Sequence, residues 1–182
     1  MTMAATWTID TGHSAIHFGV RHMMFTKTRG RFTRWSGDLR LDPANHESSS
    51  VEIAIDASSI DTGDAQRDAH LRSPDFLEVE KHPTIGFKST KIEDLGEGKL
   101  RVLGDLTIHG VTRPVVLETE HTGRVKDPWG NDRVGYTARA AIDRTDFGLR
   151  WNAALETGGL VVGNKVEIEL EVEAIAAAAK AA

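Results

Sequence analysis

The sequence predicts an all-β protein, an antiparallel barrel or sandwich with one short helical insertion. Several segments alternate apolar and polar residues with a period of two, and turn-forming residues separate them. One stretch, residues 58–82, lacks this alternation. Many strands with short turns and one apolar face favour one of these two architectures. The length of 182 residues suits one domain over 1–182, with its core at about 6–174.

The clearest strand is residues 166–173, where every apolar residue is followed by a glutamate. Only a strand places all four apolar side chains on one face and all four carboxylates on the other. Less regular alternation recurs at 16–21, 51–56, 85–90, 100–109, 115–120 and 133–140. Turn signals lie between these segments, at 42–45, 96–98, 109–112, 127–131 and 158–159.

The helical insertion is predicted near residues 58–80. Asp61 or Thr62 is suited to cap a short helix over 64–71, and Ser73 followed by Pro74 predicts the start of a second one. An insertion of this kind commonly covers one end of a closed sheet. The alanine-rich tail, 175–182, predicts a frayed helix or a disordered end.

Composition and charge exclude several classes of function. The formal net charge of −5 argues against nucleic acid as a partner. The chain has no cysteine, which excludes disulfides, thiolate zinc sites and cysteine nucleophiles. No segment approaches the roughly 20 apolar residues of a membrane span. The N-terminus lacks a basic region followed by an apolar one, so we expect a cytoplasmic protein, or a periplasmic or extracellular one if a signal was trimmed.

Catalytic motifs give little support for an enzyme. The triplet Asp-Thr-Gly begins at Asp10 and again at Asp61, which suggests the paired aspartates of an aspartic protease. Only about fifty residues separate the two triplets, too few for each to lie in its own lobe. We interpret Asp10 as a turn residue and Asp61 as a helix cap. Gly-x-Ser-x-Gly and the P-loop are absent, and we expect no catalytic activity.

Metal binding has equally weak support, although the chain has eight histidines. His13 and His17 are four residues apart, but along a strand that spacing spans about 13 Å, too far to share one zinc ion. The zinc motif His-Glu-x-x-His is absent. A meeting of His17 with His109 or His121 across strands stays open, and we predict no metal site.

The interior of a small barrel is either filled by side chains or hollow enough for a ligand. Gly104, Ala138 and Ala140 lie on predicted apolar faces, where small residues leave room for a cavity. Composition alone nevertheless favours a filled core. A filled barrel would point to a structural or stress-related interaction protein that works through its surface.

A series of short motifs runs in one order through residues 7–174. They lie at 7–10, 13–14, 20–22, 30–32, 57–63, 67–71, 73–76, 82–87, 104–114, 144–148, 151 and 162–166. Together they resemble the YceI family, lipocalin-like polyisoprenoid-binding proteins of bacteria. Two departures stand out: Met23-Met24 where the family usually has a glycine after the histidine, and Phe76-Leu77-Glu78 where it often pairs a phenylalanine with an aspartate.

The resemblance implies an eight-stranded, extended, lipocalin-like antiparallel barrel with the helical insertion near 58–80. It implies a protein that binds and carries or stores a long-chain isoprenoid or similar amphiphilic lipid, needs no other cofactor, and forms a homodimer. A polar group near the barrel mouth would position the head group. Arg67, Asp68 and His70 are expected to tie the helix to the barrel. The predicted ligand contacts are Phe18, Phe32, Trp35, Phe76, Phe87, Leu106, Ile108, Phe147 and Trp151.

Overall fold

The computed structural model describes residues 5–42 and 44–177. Within them the chain forms eleven strands and one α-helix, joined by turns and three single-turn 3₁₀ helices. Strands β1 to β11 are Ala5–Ile9, Ala15–His22, Thr26–Phe32, Trp35–Leu41, Ser50–Asp56, Ile60–Asp61, Thr84–Gly96, Lys99–Ile108, Val111–Lys126, Asp132–Asp143 and Val162–Ala176. Helix α1 is Ala65–Arg72, and the 3₁₀ helices are His46–Ser48, Ala57–Ser59 and Arg144–Phe147.

The short strands combine in pairs, so that the barrel has eight strands. β1 and β2 follow one another along the same edge of β11. β4 and β3 pair with β1 and β2 in turn, and β5 and β6 pair with β4 and β3. Three long bent strands therefore precede β7 to β11, and each pairs antiparallel with its neighbours in the chain. Trp7 lies opposite Ala176 and closes the ring. The predicted eight-stranded antiparallel barrel is confirmed.

All seven segments with period-two alternation form strands, and their apolar faces point inward. In β8, the alternate residues Leu100, Val102, Leu106 and Ile108 are buried. The sequence pattern missed β1, β3, β4 and β6. Each is short, and in β3 the only apolar side chain is Phe32, so no alternation is visible there. Ala176 extends β11 instead of starting a tail, and residues 178–182 of the predicted tail lie outside the described residues, as does Pro43 of the first predicted turn.

The helical insertion is present but shorter than predicted. Asp64, not Asp61 or Thr62, caps α1, because its carboxylate accepts a hydrogen bond from the Arg67 amide. The predicted second helix at Ser73 does not form. The amides of Phe76 and Glu78 both donate to the Ser73 carbonyl, and Glu78 has a left-handed backbone with φ of 46°. A residue in that conformation ends a right-handed helix, so the segment continues as turns.

The core divides into two clusters along the barrel axis. One includes Ile60, Leu77 and Phe147 beside α1, and the other includes Trp7, Leu41 and Tyr136 at the opposite end. We call these the helix end and the far end of the barrel. No α-helix in the described part of the chain is long and apolar enough to cross a membrane.

Candidate functional site

The barrel encloses a cavity of about 470 Å³, lined mainly by the inward-facing apolar side chains of the strands. An apolar cavity of about 150 Å³ holds one benzene molecule, which has six carbons. By that scale the cavity accommodates roughly eighteen carbon atoms. The filled core that composition alone favours is therefore not present, and the interior is hollow, as the family resemblance implies.

The helix end of the cavity is formed by aromatic side chains on α1 and the loops around it. Trp151 packs against His70 and Phe76, with ring centroids 4.7 Å and 5.3 Å apart. His70 Nε2 lies 2.8 Å from a carboxylate oxygen of Asp75, which fixes the ring. The exposed residues among those that line the cavity are His17, Arg21, His22 and Arg67.

Hydrogen bonds attach α1 to the barrel. The buried Asp68 carboxylate accepts from the amide and hydroxyl of Thr62, at 2.9 Å and 2.6 Å. Arg67 donates to the hydroxyl and carbonyl oxygens of the same threonine. Arg72 donates to the carbonyls of Ser58 and Ile60. Arg67 and Asp68 thus have the expected anchoring geometry, while His70 bonds within its own segment.

Arg144 holds the long loop between β10 and β11 in place. It is only 4% exposed, and its guanidinium donates to the carbonyls of Gly163, Leu149, Trp151 and Val162. Burial lowers the pKa of Arg144, but an arginine keeps its charge under these conditions. Because Trp151 and Val162 line the cavity, Arg144 fixes part of the cavity wall.

The far end of the cavity contains polar side chains within an otherwise apolar wall. His46 and Tyr136 line it there, beside the buried Leu41 and Leu100. Burial raises the pKa of the Tyr136 hydroxyl to about 12, so it keeps its proton at neutral pH. Sequence analysis missed both residues. His46 lies outside any alternating segment, and Tyr136 lies within the segment 133–140, where the alternation does not mark it as a polar contact.

Eight of the nine predicted contact residues line the cavity. The eight are Phe18, Phe32, Trp35, Phe76, Phe87, Leu106, Ile108 and Trp151. Phe147 does not line it, because its ring is 1% exposed and packs in the core behind the wall.

Of the three small residues expected to leave space in the barrel, two line the cavity and one does not. Ala138 and Ala140 line the cavity. Gly104 does not, because the Phe87 ring lies over it: a Cβ added at Gly104 would be 2.4 Å from Phe87 Cζ. The glycine therefore makes room for a wall residue rather than for a ligand.

Asp10 and Asp61 do not form a catalytic dyad. The pKa of Asp10 is lowered chiefly by Arg133, which donates to its carboxylate at 2.9 Å. The pKa of Asp61 is lowered by the Gly63 amide and by Arg31. A protease dyad shares one proton because the two carboxyl groups are close, which raises one of the two pKa values. Here each carboxylate has its own arginine and stays ionised.

Two groups among the described residues place three potential metal-ligand atoms within 4.8 Å of one another. Glu78, His82 and His109 lie together beside the turn between β8 and β9, and Asp10, His13 and Glu173 lie together at the edge of β11. Glu78 already pairs with Lys81 at 2.6 Å. Neither group lines the cavity.

The histidine pairs in the structure differ from those that the sequence left open. His109 packs against His82, with ring centroids 4.6 Å apart, and His121 packs near His46 at 6.0 Å. His17 pairs instead with Arg31 on β3.

A closed antiparallel barrel whose inward side chains surround an apolar cavity defines a small-ligand-binding barrel of lipocalin-like architecture. The family model of the YceI-like domain matches residues 7–174. The chain belongs to this family, and the resemblance drawn from the motifs is confirmed.

Relatives and solved structures agree with this assignment. A UPF0312 protein of Vibrio cholerae is 40% identical over 174 residues, covering 94% of this chain and 88% of the relative. The YCEI protein of Campylobacter jejuni has a TM-score of 0.76 at 28% identity, over 87% of this chain and 90% of its own. A polyisoprenoid binding domain from Saccharophagus degradans, implicated in plant cell wall breakdown, shares the fold with a TM-score of 0.69 at 16% identity, over 96% and 99% of the two chains.

Proposed function

We propose that this protein binds a long apolar chain, of the isoprenoid or a related amphiphilic class, inside its barrel, and that it acts by binding rather than by catalysis. The observation that carries the proposal is the cavity of about 470 Å³. Its wall supplies apolar contacts along most of its length, which suits a flexible hydrocarbon better than a compact polar metabolite. The fold shared with the polyisoprenoid binding domain of Saccharophagus degradans supports the isoprenoid class.

The energetics of burial favour such a ligand. Each buried methylene contributes about 0.8 kcal/mol, so a chain that fills the cavity gains enough affinity without any polar contact. We propose that Phe18, Phe32, Trp35, Phe76 and Phe87 contact the chain, together with Leu106, Ile108 and Trp151. Phe147 supports the wall from behind.

Mass spectrometry of an organic extract of the purified protein tests this proposal. We expect one long-chain lipid in stoichiometric amount, or saturable binding of added farnesol if the ligand is lost during purification. A clean extract together with no binding of farnesol would refute the proposal.

An apolar hairpin beside the cavity favours transport of the lipid ligand, rather than its storage, as the role of the protein. Met24 and Phe25, 74% and 83% exposed, lie two and three residues after the lining residue His22, at the tip of the β2–β3 hairpin. Large apolar side chains exposed together mark interaction surfaces. At the edge of a lipid cavity, these two side chains are suited to contact a membrane surface while the ligand moves between the membrane and the cavity.

Transfer of a fluorescent isoprenoid from the protein to phosphatidylcholine vesicles measures this role. Phe25→Ser removes apolar area that would enter the lipid, and we expect transfer to slow by about tenfold. Trp129→Ser is the matched control, because Trp129 is 80% exposed in the β9–β10 turn at the far end. Equal rates for the two variants would contradict the carrier role.

The homodimer and the cytoplasmic location expected from the sequence stay predictions. Light scattering of the purified full chain measures the first, and cell fractionation the second.

A further inference from the structure

Four side-chain polar atoms at the far end of the barrel are buried without a hydrogen-bond partner among the described residues. One is Nε1 of Trp7, and the other three belong to rings that lie close together: Nε2 of His46, Nε2 of His121 and the hydroxyl oxygen of Tyr136. The His121 and Tyr136 rings are 5.2 Å apart, and the His46 ring lies 6.0 Å and 6.5 Å from them. Buried polar groups are nearly always paired. His46 and Tyr136 line the cavity, so their unpaired atoms indicate groups that a ligand satisfies.

Specific features of the fold place these residues together. Tyr136 and His121 are directly opposite each other on β10 and β9, at a break in register between Gly135 and Tyr136. Breaks of this kind re-aim side chains and occur next to binding sites. His46 begins the 3₁₀ helix between β4 and β5, and its Nδ1 lies 3.1 Å from a carboxylate oxygen of Asp94 on β7. Residues from four separate parts of the chain thus meet at one end of the cavity.

The hydrogen-bonding capacity of the two lining residues follows from their partners. Asp94 also accepts from the Gly96 amide at 2.8 Å, and the pKa of its carboxyl group is lowered by that bond and by His46. An ionised carboxylate only accepts, so Nδ1 of His46 is the donor to Asp94, and in that imidazole tautomer Nε2 is the acceptor. The protonated Tyr136 hydroxyl can donate. One acceptor and one donor therefore line the far end.

We propose that the far end binds a hydroxyl head group, and that the ligand is a long-chain alcohol or phenol held head-first with its tail toward α1. The ligand hydroxyl donates to His46 Nε2 and accepts from the Tyr136 hydroxyl. This inference rests on the proposed function and specifies the class of its ligand. A hydrocarbon leaves both groups unpaired, and a quinone or ester carbonyl, which only accepts, leaves His46 unpaired. The head-group site then lies opposite the helix end, where the exposed lining residues are.

The test compares the affinities of farnesol and farnesene, two probes with similar chains, for the wild-type full chain and for Tyr136→Phe. The substitution keeps the ring and removes only the hydroxyl. We expect it to weaken the binding of farnesol about fivefold to tenfold and to leave the affinity for farnesene unchanged. Without ligand, Tyr136→Phe should unfold at the same or a higher temperature, because a buried unpaired hydroxyl is removed.

Val172→Ala is the matched control. Val172 also lines the cavity, pairs with Tyr136 across the strands and has no polar side-chain atom. The Val172→Ala substitution should weaken the binding of both probes by a similar factor. If Tyr136→Phe changes both probes equally, or neither, the head-group site is wrong while the proposed function stands. If neither probe binds the wild-type protein, the proposed function fails as well.

Discussion

The length of the ligand should depend on the free volume inside the barrel, and Ala138→Phe tests this directly. Ala138 lies on β10 and lines the cavity. Phenylalanine at this position adds a phenyl ring to space that is now empty. Because the ring enters a void rather than a filled core, we expect the variant to fold with unchanged or slightly higher stability.

The magnitude follows from the volumes. A benzene ring needs about 150 Å³, close to a third of the 470 Å³ cavity. The variant should then hold roughly twelve carbons in place of roughly eighteen. Six methylenes at about 0.8 kcal/mol each give up to about 5 kcal/mol of lost affinity for a chain that fills the wild-type cavity. A chain of about ten carbons should bind both proteins equally.

The assay is displacement of a fluorescent fatty probe by primary alcohols of increasing length. Affinity should rise with each added carbon and level off about six carbons earlier in Ala138→Phe than in the wild type. Ala141→Phe, three positions along the same strand and exposed, serves as control and should behave like the wild type. The same length dependence in all three proteins would refute the argument that the cavity holds the chain.

Three further predictions concern the structure that supports the cavity. Gly104→Ala should destabilise the fold by about 1–3 kcal/mol, measured by urea unfolding, because its Cβ would also lie 2.6 Å from the Lys88 carbonyl oxygen. Phe147→Leu should lower stability by about 1–2 kcal/mol yet keep the dependence of affinity on chain length, since Phe147 lies behind the wall; a shifted length dependence would make it a contact. Arg133→Met should be less stable than the wild type at neutral pH, and this difference should shrink below about pH 4.

The pH dependence of the last variant follows from the partners of Arg133. Its guanidinium donates to Asp127 at 2.8 Å and to Asp10 at 2.9 Å, and it also pairs with Glu173. Burial raises the pKa of Asp127, but hydrogen bonds from Arg133 and Asn131 outweigh burial and lower it. Groups with a lowered pKa stabilise the fold above their unfolded pKa and lose that contribution as the pH falls. A difference between variant and wild type that stays constant down to pH ~2 would contradict this account.

The alternation in the sequence was sufficient to predict seven of the eleven described strands and the direction of their side chains. In 166–173 and 100–109 the period of two is a local property, since it depends only on which face each side chain occupies. Four of the eight predicted contacts that line the cavity, Phe18, Phe87, Leu106 and Ile108, lie in such segments, although no pairing of strands was known. Where a strand has few apolar residues, as in β3, the pattern is absent and the strand was missed.

The sequence by itself determined an all-β chain, its inward face and its family. Only the tertiary structure decided that the interior is hollow, that Gly104 lies beneath Phe87, and that His46 approaches Tyr136. These facts depend on the closure of the sheet, which joins residues 90 positions apart. A void is what remains after all the strands have paired, so its size and its polar end follow from long-range register and have no local signal in the sequence.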